Sequence, residues 1–142
     1  MTIQVRLATS NDAGDLARLN FEFNGGERRQ AADIARNLNR NKELVVVAVT
    51  QNEIVGFGCA QSYQSFCYPA ANGEITEMYV TEAARRKGAA AALIAFLEQA
   101  LKERGVDNVK ILTGSLNNPA IRTYETSGYV KCSETVLMKH LG

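Results

Sequence analysis

The sequence predicts one α/β domain, residues 1–142, in which a mixed sheet carries helices on both faces. Residues 44–49, Leu-Val-Val-Val-Ala-Val, are a continuous apolar and β-branched run, typical of a strand buried on both sides. Between Ala89 and Leu101, alanine and leucine recur at helical spacing on a face broad enough to cover a sheet. Along the chain the elements run β, α, α, β, β, β, α, β, α, β, β, an alternation that favours a sheet between helix layers. A length of 142 residues fits a single domain.

The composition narrows the class of protein. The net charge of +1 disfavours a general nucleic-acid binder or a membrane-surface protein. The three cysteines, Cys59, Cys67 and Cys132, have no close Cys or His partners in the sequence, so we expect reduced thiols in a cytoplasmic protein and no metal site. No signal-like apolar core opens the chain, and no apolar run approaches the roughly 20 residues that cross a bilayer.

The first half of the chain predicts three strands and two helices. A turn at Gln51-Asn52 joins two of the strands and predicts that they pair antiparallel. In order, the elements are a strand at residues 4–7, a helix that starts in the N-capping cluster 9–12 and fades at 21–26, a helix at 27–39, and strands at 44–49 and 54–63.

The second half predicts four strands and two helices. The elements are a loop at residues 65–73, a strand at 74–80, a long helix that ends near Gly105, a strand at 109–113, a short helix from Asn117-Asn118-Pro119 to Gly128, and a closing hairpin of strands 129–132 and 135–139.

A basic, glycine-bearing turn, Arg85-Arg86-Lys87-Gly88-Ala89-Ala90, lies between the strand at 74–80 and the long helix. The first amides of a helix are unpaired and carry about half a positive charge, so extra cations there are unfavourable unless an anion binds. This pattern favours a phosphate or diphosphate site. The alternative is a solvated basic turn whose glycine serves packing. The turn is neither a P-loop nor a dinucleotide fingerprint, because the required Lys-Ser/Thr pair and first glycine are absent.

Two spaced motifs resemble those of the GCN5-related N-acetyltransferase (GNAT) superfamily. The turn at residues 85–90 is similar to the family's Arg/Gln-x-x-Gly-x-Gly/Ala signature. Residues 117–129, with Asn117, Ala120, Tyr124 and Gly128-Tyr129, resemble its Asn-x-x-Ala-x-x-x-Tyr-x-x-x-Gly-Phe/Tyr signature. The resemblance implies a mostly antiparallel sheet of six or seven strands that splays between strands 4 and 5.

The resemblance also implies acetyl-coenzyme A as acyl donor and transfer of its acetyl group to an amine. The turn amides would hold the pyrophosphate, the strand around Met78 would hold the pantetheine arm, and Tyr124 would protonate the leaving thiolate. The implied cofactor-binding residues are Met78, Tyr79, Val80, Arg85, Arg86, Lys87, Gly88, Ala89, Ala90, Asn117, Ala120 and Tyr124.

Two residues are the catalytic candidates. Tyr124 can donate a proton because a phenol is protonated at neutral pH; the alternative is a core aromatic. Glu77 alternates with Ile75 and Tyr79, so we expect it on a half-buried face, where a carboxylate is costly without a partner or a role. It is either a general base, an anchor for a cationic acceptor, or half of a structural ion pair.

The acceptor is expected to be a small-molecule amine, with a protein amine and a non-catalytic acyl-coenzyme A-binding domain as alternatives. The resemblance implies that Phe21 and Glu22, in the loop after the first helix, border the acceptor site. The alternative for Glu22 is a solvated acidic side chain in a loop. No Ser-His-Asp or Cys-His arrangement stands out, which favours direct transfer. Dimers are common in the family, so a homodimer stays open.

Overall fold

The computed structural model describes residues 2–40 and 42–142, and its contacts divide the chain into two compact units. The first, up to Leu112, contains the five strands and three of the helices; the second is Thr113–Gly142. The strands are β1 (Gln4–Leu7), β2 (Leu44–Thr50), β3 (Glu53–Tyr63), β4 (Ala71–Val80) and β5 (Val106–Ile111). The α-helices are α1 (Ala13–Asn24), α2 (Ala31–Arg40), α3 (Ala89–Glu103) and, in the second unit, α4 (Asn118–Thr126). The expectation of a single domain stays a prediction.

The five strands form one mixed sheet in the order β1-β2-β3-β4-β5. The first three pairs are antiparallel, and β4 pairs parallel with β5. The β4–β5 pairing runs from Ala71 to Ile75 on β4 and stops there. β5 also ends at Ile111, the partner of Ile75, so residues 76–80 of β4 have no β5 partner, as the predicted splay between strands 4 and 5 requires.

Helices cover both faces of the sheet. On one face, Leu16 and Leu19 of α1 pack with Val47 and Phe57 of β2 and β3. On the other face α3 lies so close to β3 that a Cβ at Gly58 would come within 3.0 Å of Leu97 Cδ1. Glycine at this position permits the close approach of helix and strand. The predicted mixed α/β class is confirmed.

The predicted closing hairpin is wrong, and the sheet has five strands instead of six or seven. Residues 129–142 contain no strand, and four of their large apolar side chains are at least 84% exposed: Val130, Leu137, Met138 and Leu141. A segment whose residues favour a strand still needs a neighbouring strand with which its backbone groups can pair.

Several boundaries also differ from prediction. Asn72-Gly73 was expected in a loop but lies in β4, because β3 is long enough to pair with it as far as Tyr63 opposite Asn72. The second helix begins at Ala31, later than expected, and β5 lies a few residues earlier than expected. Among the described residues, no helix is long and apolar enough to span a membrane.

Candidate active site

The turn before α3 has the backbone shape that its sequence suggested. Gly88 is the N-cap of α3 with a left-handed φ of 89°, and Arg86 also has a positive φ, 65°. A Cβ at Gly88 would meet nothing within 4 Å, so the space beside the helix start is open. Arg86 and Lys87 are exposed there. An open, basic start of a 15-residue helix fits an anionic ligand such as a pyrophosphate.

Arg85 contacts β4 in two ways. Its Nε donates to the Val80 carbonyl oxygen at 2.9 Å, and its guanidinium lies 5.7 Å from the centre of the Tyr79 ring. These contacts fix the turn to the end of β4. An additional contact between Arg85 and a pyrophosphate stays a prediction.

A β-bulge shapes β4 beside the splay. Cys59 pairs with Glu77 and Ala60 with Ile75, so Thr76 is left without a partner on β3. Because Cys59 and Ala60 point to opposite faces, Ile75 and Glu77 also do. The expectation that Ile75 and Glu77 share a face is therefore wrong, and the extra residue of the bulge is the reason. The Thr76 hydroxyl is buried without a hydrogen-bond partner in the described structure.

Glu77 instead shares its face with Cys59 and Glu43. Burial, followed by the neighbouring Glu43 and Glu77 charges, raises the pKa of the Cys59 thiol, so it stays protonated. Burial, and next the Glu77 charge, raises the pKa of Glu43, although the Cys59 thiol opposes this. Among the described residues, no Lys or Arg forms a salt bridge with Glu77. The role of Glu77 stays a prediction.

The end of α1 brings Glu22 to β4. The Tyr79 hydroxyl donates to Glu22 Oε2 at 3.1 Å, and the Phe23 ring stacks on the Tyr79 ring with centroids 5.2 Å apart. Burial, followed by the Glu22 hydrogen bond, raises the pKa of Tyr79. Phe21 is 43% exposed, with the Arg28 guanidinium 5.9 Å from its ring centre. Glu22 is thus an anchored side chain and not a freely solvated loop acid.

The second unit carries the other motif on α4. Asn117 caps this helix, because its side-chain oxygen accepts from the Ala120 amide at 3.3 Å. Burial raises the pKa of Tyr124 above the usual phenol value. Gly128, with φ 97°, follows the end of the helix. The capping contact accounts locally for Asn117 and Ala120, whose cofactor contacts stay predictions.

Comparison with known families decides the class of this protein. Residues 11–129 match the model of the acetyltransferase (GNAT) family. The chain belongs to this family. It is accordingly an enzyme of the N-acetyltransferase class, and the resemblance drawn from its two motifs is confirmed.

Solved structures have the same GNAT fold at low sequence identity. An aminoglycoside acetyltransferase, meta-AAC0020, from an uncultured soil metagenomic sample in complex with sisomicin, is 19% identical with a TM-score of 0.83, over 98% of this chain and 95% of that chain. The enzyme AAC(6')-Iy, in complex with the bisubstrate analogue CoA-S-monomethyl-acetylneamine, is 16% identical with a TM-score of 0.86, over 100% of both chains.

A third structure with this fold has a different kind of acceptor in its name. The ribosomal-protein-alanine N-acetyltransferase from Brucella melitensis biovar Abortus 2308 is 19% identical with a TM-score of 0.84, over 99% of this chain and 100% of that chain. A sequence search among curated proteins finds no match.

Sequence reasoning missed Glu43 and Cys59 as neighbours of Glu77 in this GNAT chain. The available signal was the antiparallel pairing predicted by the Gln51-Asn52 turn. If β2 and β3 paired without interruption from Thr50 opposite Glu53, Val45 would lie opposite Gly58. A bulge at Ala48/Val49 shifts the register by one residue, so Val45 lies opposite Cys59 instead. Among residues 2–40 and 42–142, no group of three or more His, Cys, Asp or Glu side chains is arranged to hold a metal ion.

Proposed function

We propose that this GNAT enzyme transfers an acetyl group from acetyl-coenzyme A directly to a primary amine of a small molecule. The observation that carries the proposal is the edge of β4 after Ile75, which has no β5 partner and lies on the same strand that leads into the open basic turn. A strand edge without a partner can hydrogen-bond an extended ligand, while the turn binds its anionic end.

Acetyl-coenzyme A would supply the activated acetyl thioester. In the proposal, the amides of residues 86–90 bind the pyrophosphate, with Arg86 and Lys87 adding positive charge. The backbone of residues 78–80 binds the pantetheine arm. The Thr81 amide donates to Val55 on β3, so by strand alternation the backbone groups of Met78 and Val80 point away from β3. The Val80 carbonyl already accepts from Arg85, which leaves Met78 and the Val80 amide for the pantetheine arm.

The residues near the proposed acceptor site are acidic. Glu77 and Glu22 both face the side of the sheet that α1 covers, and Glu43 adds a third carboxyl near Glu77. Carboxylates on one side of a cleft favour a cationic amine. We propose that Glu22, with Phe21 beside it, binds the acceptor, and that Glu77 binds the reacting amine or accepts its proton. Aminoglycosides, the acceptors named for the meta-AAC0020 structure, are amines of this kind.

Tyr124 is the proposed general acid. Its raised pKa keeps the hydroxyl protonated at neutral pH, as a donor to a leaving thiolate must be. Asn117 and Ala120 lie at the start of the same helix and would contact the pantetheine region.

The donor half is tested by a thermal shift with acetyl-coenzyme A. We expect a higher melting temperature for the wild type and no shift for Gly88→Glu, because a carboxylate and its side chain would occupy the open space beside the helix start. Gly105→Glu is the matched control: Gly105 has a similar φ of 85° and equally open surroundings, but lies at the other end of α3. Loss of the shift in both variants, or in neither, would contradict the assignment of the turn.

The acceptor half is tested by a screen of aminoglycosides, small polyamines and peptides, read by thiol release. Release only with peptides would favour a protein acceptor, the kind of acceptor in the name of the ribosomal-protein-alanine N-acetyltransferase. Donor binding without release for any amine would favour a non-catalytic acyl-coenzyme A-binding domain.

We also propose a cytoplasmic location. Cys67 and Cys132 are exposed and free, which agrees with a reducing, cytoplasmic setting.

A homodimer is proposed on the family resemblance, and light scattering of the purified chain tests it.

A further inference from the structure

We infer that Tyr79 is a positioning residue that holds Glu22 in the orientation needed to bind a cationic acceptor. The inference rests on the proposed function, in which Glu22 contacts the acceptor. It adds a role for the Tyr79 side chain, whereas the sequence motif assigned only the strand at this position to the cofactor.

The contacts join three elements through one ring. The Tyr79 hydroxyl on β4 donates to Glu22 Oε2 at the end of α1, 3.1 Å away. One face of the ring stacks on Phe23, also on α1, and the Arg85 guanidinium lies 5.7 Å from the ring centre. Arg85 is itself held by the Val80 carbonyl. The end of α1 is therefore connected to the basic turn through Tyr79.

Tyr79 can support Glu22 because the Glu22 side chain lies partly exposed in the last turn of α1. Gly25 and Gly26 follow α1 with φ values of 65° and 72°, and the Glu22 side chain is 40% exposed. Its other contact within the described residues is Arg18 at 3.4 Å from Oε1, a long pair across one helical turn. A surface pair of this kind contributes little to fixing a side chain.

The chemistry of the donor matters as much as its position. A phenol orients a carboxylate without neutralising it, whereas a Lys or Arg in the same place would compete with a cationic acceptor. An ionised carboxylate accepts at about four lone-pair positions, so the bonds from Tyr79 and Arg18 leave acceptor capacity for an amine. The raised pKa of Tyr79 keeps the hydroxyl a donor over the physiological range.

The test compares Tyr79→Phe with the wild type in steady-state kinetics. We expect the KM for a cationic acceptor to rise about five- to tenfold, the size of one lost hydrogen bond, with kcat and the KM for acetyl-coenzyme A within about twofold. Tyr68→Phe, which removes a hydroxyl that is 63% exposed in the loop before β4, is the control and should change nothing. An unchanged acceptor KM in Tyr79→Phe would overturn the inference.

A double-mutant cycle identifies the partner. Glu22→Gln should raise the acceptor KM, and adding Tyr79→Phe to it should have little further effect, because both changes remove the same oriented charge. Additive effects would mean that Tyr79 acts through another group, which also overturns the inference.

Hydrogen exchange gives a readout that does not need catalysis. Amides of residues 21–25 should exchange faster in Tyr79→Phe than in the wild type or in Tyr68→Phe, because the end of α1 loses its hydrogen bond to β4. Unchanged exchange would refute the positioning role, even if the acetyltransferase proposal itself were correct. Absence of thiol release from the wild type would refute the proposed function and, with it, the role in acceptor binding, whereas the exchange rates would still report whether Tyr79 orders the end of α1.

Discussion

Burial raises the pKa of three single side chains in this enzyme. Tyr124 and Tyr79 both have a raised pKa, and in both cases burial is the largest cause. Cys59 has the same cause, strengthened by two nearby carboxylates. A raised pKa keeps phenols and thiols neutral, so all three side chains remain hydrogen-bond donors at neutral pH. The proposed acid therefore needs no other group to keep its proton.

Replacing Tyr124 with Phe should lower kcat by about 10²- to 10⁴-fold, the usual contribution of a positioned general acid. The thermal shift with acetyl-coenzyme A should persist, since the hydroxyl is assigned to proton transfer and not to binding. Because the pKa of Tyr124 is raised, the wild type should keep this acid protonated and show no loss of kcat from it up to about pH 9, below the reference phenol value of about 10. Unchanged turnover in Tyr124→Phe would remove the residue from the acid role.

At the scale of elements, the sequence determined which segments are strands and helices better than it determined which side chains share a face. The strand at Gln4–Leu7 and the starts of β2 and α3 follow directly from apolar pattern and turn residues. Faces depend on register, and two bulges change the register, at Ala48/Val49 and at Thr76. Each bulge exchanges the two faces of the strand beyond it. Gly56 borders the first bulge and is a residue type that can mark one, but nothing at Thr76 indicates the second, so the neighbours of Glu77 could not be predicted.

The connection between β1 and α1 is stabilised by more hydrogen bonds than the predicted N-capping cluster implies. Arg6 donates to both carboxylate oxygens of Asp12, at 2.8 and 2.9 Å, and the Thr9 amide donates to Asp12 Oδ2 at 2.8 Å. Asp12 is buried, and the Arg6 hydrogen bond is the largest cause of its lowered pKa. A charged group with this many partners links the two elements.

Asp12→Asn should lower the free energy of unfolding by about 2 kcal/mol at pH 7, typical for loss of hydrogen bonds to a charged group. Since the folded-state pKa of Asp12 is lowered, its contribution is complete above the unfolded-state value of about 3.9 and is lost as the pH falls through the folded-state value. The difference between wild type and variant should thus shrink below about pH 4. Urea denaturation at several pH values measures it, with the exposed Asp15→Asn as control. Equal stability of Asp12→Asn and wild type at pH 7 would refute this role.

At the scale of the whole molecule, the two motifs fall in different compact units. The basic turn, Glu77 and Glu22 belong to the first unit, and Asn117 and Tyr124 to Thr113–Gly142. Each half has an identifiable chemical capacity by itself: anion binding and acidic groups in the first, a protonated phenol in the second. The family match spans both, at residues 11–129. The class of enzyme was predictable because each motif is a short continuous stretch of sequence. The structure of the last residues was not, because a strand there would need another strand to pair with.

The last 14 residues provide a decisive comparison between pattern and structure. Their sequence predicts a hairpin of strands 129–132 and 135–139, but residues 129–142 contain no strand and expose Leu137 and Met138 by 91% and 92%. Amides without a backbone acceptor exchange quickly, so hydrogen exchange read by mass spectrometry should show residues 130–142 exchanging much faster than β3, which is paired on both sides. Leu137→Lys should then leave the melting temperature unchanged, because a side chain that is already in water loses no burial. Protection of this segment comparable to that of β3, together with destabilisation by Leu137→Lys, would instead support the hairpin that the sequence pattern predicts.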